Sequence, residues 1–266
     1  MERLETRFEI ADAIATITLN RPDKLNAWTE VMEREVRAAM LEADKDERVR
    51  AIILTGEGRG FCAGADMSLL NEVAKHGGAG RLEPTCAVGS FDQKYSYFPA
   101  LSKLVIAAIN GPAVGLGLVL TLYCDLRFAV DTARFSTTFA RRGLIAEYGI
   151  AWMLPRIVGL PNAIDLLFSA RVIDAAEALR LGLVNQVFPQ DVFTAKVREY
   201  VRELVSLSSP RSIRVMKRQI YEGFFQTLAE ASAVAERELL ASLECEDFKE
   251  GVAHFREKRL PVFTGK

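Results

Sequence analysis

The chain has 266 residues, half of them apolar and 26% charged, with a formal net charge of −1. This balance fits one large globular domain or a core with a small appendage, and it gives no electrostatic footing for nucleic acid or an anionic membrane surface. Four cysteines (Cys62, Cys86, Cys124 and Cys245) share no CxxC spacing and no histidine cluster, which argues against a zinc site or a disulfide framework and for a reducing compartment.

The first residues, Met-Glu-Arg-Leu-Glu-Thr-Arg, lack the apolar core of a signal peptide and are too acidic for a transit peptide, so a cytoplasmic location is expected. Phe8-Glu9-Ile10, a turn at Ala11-Asp12 and an apolar run over 14–19 read as a hairpin. Arg21-Pro22 ends its second strand. Thr29 starts an amphipathic helix over 29–44, with Val31, Val36, Met40 and Leu41 as its buried stripe. A strand over 49–55 leads into a small-residue loop, Gly60-Phe61-Cys62-Ala63-Gly64-Ala65-Asp66, and Asp66 caps a helix through Leu70 and Val73. Residues 76–90 read as a loop that is poorly ordered without ligand.

A helix over 91–101 precedes a second strand, 105–109, and a second small-residue loop, Asn110-Gly111-Pro112-Ala113-Val114-Gly115-Leu116-Gly117. The apolar stretch from this loop to Cys124 is too short and glycine-rich to span a bilayer; it reads as a buried helix, and no membrane partner is expected. Short strands follow at 126–130 and 134–136, then a helix over 149–158. Asp174 to Glu177 reads as a capping box opening a helix that ends at Leu181. A strand over 184–188 is followed by helices over 192–207, 210–222, 226–242 and 245–257. Strands alternating with helices, then helices alone, predict an α/β fold with an all-α C-terminal region, divided as 1–195 and 196–266.

The two small-residue loops each join an apolar strand to a helix. Such units aim unpaired backbone N–H groups from the start of a helix at one point. A converging N–H pair is a receptor for a developing oxyanion, and small residues let a ligand approach the backbone closely.

These residues resemble the enoyl-CoA hydratase/isomerase, or crotonase, family. The likeness runs through Arg21-Pro22 with Asn26-Ala27, both small-residue loops, Cys124-Asp125-Leu126-Arg127-Phe128-Ala129, the segment Ala176-Glu177-Ala178-Leu179-Arg180-Leu181-Gly182-Leu183-Val184, and the tail from Phe248 to Arg259. It implies a ClpP-like spiral of repeated ββα units, with the C-terminal helices packing homotrimers or dimers of trimers. It also implies acyl-CoA thioester ligands of the kind met in fatty acid metabolism, with coenzyme A entering as part of the substrate and no permanently bound cofactor or metal. Carried over residue by residue, Ala63 and Leu116 supply the oxyanion-hole N–H groups, with Leu116 standing where many members have Gly. Ala63, Gly64, Ala65 and Asp66 line the CoA. Lys24, Leu25 and Ala27 meet its adenine and pantetheine, and Phe255 and Lys258 cover the CoA of a neighbouring subunit.

The sequence departs from the family's hydratases, which use two glutamates. Val119 and Phe139 occupy those positions, and neither can move a proton. Glu147, in Gly143-Leu144-Ile145-Ala146-Glu147-Tyr148-Gly149, stands where family isomerases carry an acid that shuttles a proton. One such carboxylate suffices for Δ3-Δ2 enoyl-CoA isomerisation. Alternatives stay open: hydration by Glu147 with water, a lyase reaction; a smaller group of hydrolytic or C–C-cleaving reactions met on this fold; and a non-catalytic acyl-CoA-binding protein. Glu147 also fits a first-turn acid favourable to the following helix dipole.

Phe139 and Tyr148 are candidates for an acyl pocket wall. Arg141 and Arg142 read as surface or interface charges. Lys217 and Arg218 fit either CoA phosphates, a subunit neighbour or a solvated helix face. Asp125 reads as a turn residue paired with nearby backbone or with Arg127. Cys62, His76 and His254 carry no assigned role.

Overall fold

The N-terminal hairpin forms as its alternation dictates, with β1 (Thr6–Ala11) pairing antiparallel to β2 (Ile14–Leu19) and burying every β2 residue but Thr18. In the computed structural model, residues 3–68, 71, 75 and 91–266 are described. Met67, Ser68, Asn71 and Lys75 are helical, as the expected helix after Asp66 requires, whereas Leu70, Val73 and the loop 76–90 lie outside the described residues.

From β2 the sheet continues in parallel through β3 (Ala51–Gly56), β4 (Leu104–Ile109), β6 (Leu126–Val130) and β9 (Gln186–Phe188). The central strands are near-continuous apolar runs because both faces are covered. A small second sheet joins β5 (Ala113–Val114), β7 (Arg134–Ser136) and β8 (Ile173–Asp174).

Helix α1 (Glu30–Lys45) starts where expected, with the Thr29 hydroxyl accepting from the Met32 N–H at 3.0 Å. Its buried stripe is Met32, Glu35, Val36, Ala39, Met40 and Ala43. Val31 is only half-buried and Leu41 is exposed, a correction of about one residue in the helix face. The unexpected member is Glu35, which accepts from the Leu4 and Glu5 amides and the Thr6 hydroxyl, so its charge is satisfied as it is buried. The helix expected over 91–101 is instead an irregular segment with one 3-10 turn at Phe98–Ala100, where Pro99 removes an amide.

Helix α2 (Leu116–Leu122) is entirely buried. Helices α3 (Ile150–Val158) and α4 (Leu160–Ser169) follow, joined at Gly159. Asp174 caps α5 (Ala175–Arg180) by accepting from the Glu177 amide at 2.8 Å, but Glu177 turns to Arg171 rather than completing the box. In α6 (Phe193–Leu207), Phe193, Val197, Val201 and Val205 are buried, and Tyr200 meets Phe128 of β6 with ring centroids 4.9 Å apart.

The chain ends with α7 (Pro210–Glu222), α8 (Leu228–Glu244) and α9 (Glu246–Glu257). Lys217 fastens α7 to the core. Its ammonium is buried, donates to the carbonyls of Phe98 (3.0 Å) and Lys103 (2.8 Å), and pairs with Asp125 at 2.8 Å. Lys217 is therefore a structural cation, neither a solvated group nor a ligand for phosphate. Asp125 also accepts from the Val105 amide, whereas Arg127 donates to the carbonyls of Leu183, Thr121 and Cys124.

Candidate active site

The two small-residue loops lie against each other. The amides of Phe61 and Cys62 both donate to the Pro112 carbonyl, at 3.1 and 3.0 Å, and the Val114 amide donates back to Cys62 at 3.0 Å. A side chain at position 117 would place a Cβ 2.2 Å from the Cys62 carbonyl oxygen, so only glycine lets α2 begin this close to the first loop.

The first loop is also tied to the Arg21–Asn26 turn. Asn26 is fully buried, accepts from the Arg21 amide at 2.8 Å, and donates to the carbonyls of Glu57 (3.0 Å) and Gly60 (2.7 Å). Leu25 and Asn26 both sit in the left-handed region, at φ 48° and 56°. The Arg21 guanidinium donates to the Ala27 carbonyl at 2.6 Å and to Asp66 at 2.8 Å. Asp66 also accepts from the amide and hydroxyl of Ser68, and these bonds hold its carboxyl down at about 2.

This network decides which amides remain available. The Ala63 N–H donates to the Leu25 carbonyl at 3.0 Å, and that of Asp66 donates to Trp28 at 3.0 Å. Ala63 is thus occupied within the fold, which corrects its assignment as an oxyanion donor. The amides of Ala65 and Leu116 have no acceptor among the described residues. Both residues line one cavity of about 220 Å³, with Gly64, Gly115, Thr138, Phe139, Arg142, Leu144, Glu147 and Tyr148.

The structure therefore brings Gly64, Ala65, Leu116 and Glu147 together. Asp66 stands beside the cavity and off its wall. Lys24, Leu25 and Ala27 form the adjoining turn, with Lys24 exposed. Phe255 is exposed on α9 and Lys258 is its left-handed C-cap; neither lines the cavity in the single chain. Thr138, Arg142 and Leu144 are wall residues that sequence reasoning did not place there.

Glu147 is the one carboxylate on the wall among the described residues. It is half-buried, and loss of hydration raises its pKa above the ordinary carboxylate value. No cation offsets that shift. Val119 and Phe139 are both buried, at 0% and 5% exposure, so no acid faces the cavity from either position. The Tyr148 ring meets Tyr95 edge-on at 4.7 Å, and burial together with the Glu147 charge pushes its hydroxyl up to about 12. Cys62 is fully buried, and burial pushes its thiol up to about 12, which makes it inert filler rather than a nucleophile.

A larger cavity of about 610 Å³ lies between the sheet and the start of α6, and Glu9 and Glu57 are its only carboxylates among the described residues. No cluster of three His, Cys, Asp or Glu residues could hold a metal, and no helix is long and apolar enough to cross a membrane, among the described residues.

The likeness to known proteins extends over the whole chain. A family model described as enoyl-CoA hydratase/isomerase matches residues 9–266. A Mycobacterium bovis protein named probable enoyl-CoA hydratase is 35% identical over 94% of this chain and 89% of its own. The 1,2-epoxyphenylacetyl-CoA isomerase of Escherichia coli is 30% identical over 97% of both. The crystal structure of an enoyl-CoA hydratase from Bacillus anthracis superposes with a TM-score of 0.87 at 30% identity, covering 99% of this chain and 100% of that one. The fold expected from the motifs, an α/β crotonase spiral with a helical C-terminal region, is the fold observed.

Proposed function

Because the chain belongs to the enoyl-CoA hydratase/isomerase family, we propose that it converts a 3-enoyl-CoA to a 2-enoyl-CoA, with Glu147 as the proton shuttle and the amides of Ala65 and Leu116 as the oxyanion hole. The observation that carries this reading is the meeting of one half-buried carboxylate and two acceptor-free amides on a single cavity.

The thioester carbonyl oxygen accepts from the two amides. The Glu147 carboxylate removes a proton from C2, and the electron pair of the C2–H bond delocalises over the thioester oxygen and the C3–C4 double bond. The amides stabilise that dienolate; loss of one such donor typically costs about 3–4 kcal/mol of barrier. The protonated Glu147 then returns the proton to C4. The double bond moves from C3–C4 to C2–C3, and Glu147 ends as it began. Its raised pKa suits this exchange because the acid and the enolate are brought closer in basicity.

Hydration is the second reading. The family relatives named as hydratases favour it, and Glu147 is open enough for water to reach. Incubation of the wild-type protein with a 3-enoyl-CoA and, separately, a 2-enoyl-CoA separates the two. Isomerisation creates the conjugated absorbance from the 3-enoyl substrate; hydration removes it from the 2-enoyl substrate. If neither thioester reacts, both readings fall, and the acyl-CoA-binding role remains.

On this reading the coenzyme A portion would run along Gly64 to Asp66 and the adjoining Lys24–Ala27 turn. Exposed Leu239, Leu240, Phe248 and Phe255 on α8 and α9 support packing of copies into a trimer or a dimer of trimers. In that assembly Phe255 and Lys258 would cover a neighbour's CoA.

A further inference from the structure

The polar residues of the segment 136–142 that runs past the cavity fall into two classes. Ser136 and Thr137 donate their hydroxyls to the carbonyls of Ala170 and Leu166, at 3.0 and 2.8 Å. Arg141 donates to the Ser169 carbonyl at 2.9 Å. These three side chains hold the wall against α4. The next polar residue in each run, Thr138 and Arg142, lines the cavity instead, and neither side chain has a partner among the described residues.

Thr138 is also strained. Its φ is 58°, in the left-handed region where a β-branched residue is an outlier. Such a conformation persists only when the surroundings impose it, and it is concentrated at ligand sites. Half-buried Thr138 and exposed Arg142 both line this cavity. Arg142 is not the counter-ion of the Glu147 carboxylate, whose shift comes from lost hydration alone.

Arginine offers only N–H donors, in a fork that matches a carboxylate, and a threonine hydroxyl can add a further donor. The cavity, at about 220 Å³, lies below the roughly 300–1,000 Å³ common for drug-sized ligands. Leu116, Phe139, Leu144 and Tyr148 make the rest of the wall apolar or aromatic. On the acyl-CoA reading of this cavity, on which the inference rests, we propose that the natural acyl group is short and carries a carboxylate at its far end, recognised by Arg142 and Thr138.

The test is calorimetric binding of glutaryl-CoA, pentanoyl-CoA and free CoA to the wild-type protein and to Arg142→Gln and Arg142→Lys. Glutaryl and pentanoyl groups have equal chain length and differ in the terminal carboxylate. The wild type should prefer glutaryl-CoA by about tenfold or more, the increment of a hydrogen-bonded charge pair. Arg142→Gln should abolish that preference while leaving pentanoyl-CoA affinity and the melting temperature nearly unchanged. Arg142→Lys should retain part of the preference. Equal wild-type affinity for the two thioesters overturns the inference and leaves the acyl-CoA reading intact. So does an Arg142→Gln variant that weakens both thioesters and free CoA by the same factor, because Arg142 would then hold a CoA phosphate. A wild type that binds neither thioester more tightly than free CoA overturns both the inference and the acyl-CoA reading beneath it.

Discussion

The hydroxyl of Tyr123 donates a 2.8 Å hydrogen bond to the carbonyl of Tyr148. Tyr123 caps the end of α2, whose first residue is Leu116, so one buried helix carries an acceptor-free amide at one end and braces the Glu147 turn at the other. Tyr148 sits at φ 55° and Gly149 at φ 74°, a sharp turn that needs such a brace. Tyr123→Phe is expected to cost about 1 kcal/mol of stability, the net worth of one hydrogen bond. It should also lower kcat by about tenfold or more with little change in KM, because small misplacements of a reacting group are expensive in rate. Steady-state kinetics beside a thermal melt check this; unchanged kcat would show that the turn holds Glu147 without Tyr123.

Gly149→Ala attacks the same brace from the other side. A Cβ at Gly149 would stand 2.4 Å from the Tyr123 hydroxyl oxygen, and the residue's positive φ strains any side chain. The expected destabilisation is about 1–3 kcal/mol. With Tyr123→Phe in the same chain the clash is relieved, so the double variant should lose less than the sum of the singles. Urea unfolding of the three variants measures the coupling.

Glu147→Gln should lower isomerisation by about 10²–10⁴-fold, the usual contribution of general acid–base catalysis, while acyl-CoA binding is largely kept. The wild-type rate should be lost on acidification, because proton abstraction needs the carboxylate. Since lost hydration raises its pKa, the fall in kcat/KM should begin at a higher pH than for an exposed glutamate. A rate that is flat through that range would remove Glu147 as the base.

The same shift bears on stability with a definite sign. A glutamate whose folded pKa is raised favours the folded state only while protonated, and that advantage is lost as pH rises from the unfolded value through the folded one. Glu147→Gln should therefore melt at a higher temperature than the wild type at neutral pH. The difference should shrink as both are acidified below the glutamate range. Melting curves across pH detect it, and a lower melting temperature at neutral pH would contradict the desolvated placement.

Lys217→Met should destabilise the protein by about 3–5 kcal/mol, the cost of leaving a buried partner charge uncompensated. The Lys217 and Asp125 side chains are 4% and 9% exposed, and two backbone carbonyls would lose their donor with the ammonium. Denaturant unfolding should show the loss. A variant as stable as the wild type would mean that α7 is held by apolar packing alone.

Periodicity located most elements because burial imposes it. The hairpin, α1, β4 and the four C-terminal helices follow from alternation, caps and helical spacing. Expectation failed where a nonlocal partner set the outcome. Segment 91–101 has helical spacing, but Pro99 and packing against α7 leave one 3-10 turn. Lys217 has the spacing of a surface cation, but its carbonyl partners come from Phe98 and Lys103, more than a hundred residues away.

The candidate site divides in the same way. The order and spacing of the small-residue loops, the apolar Val119 and Phe139, and the acid at 147 were determined by the sequence alone, because they depend only on which residue type stands at which position. Which amides are free was decided by the tertiary structure. Ala63 and Ala65 are indistinguishable as residue types, yet the Leu25 carbonyl occupies the first and leaves the second open. The placement of Thr138 and Arg142 on the cavity wall was decided there too. A hydrogen bond to a distant carbonyl leaves no mark on the local sequence, so only the packed chain shows which donors remain for a ligand.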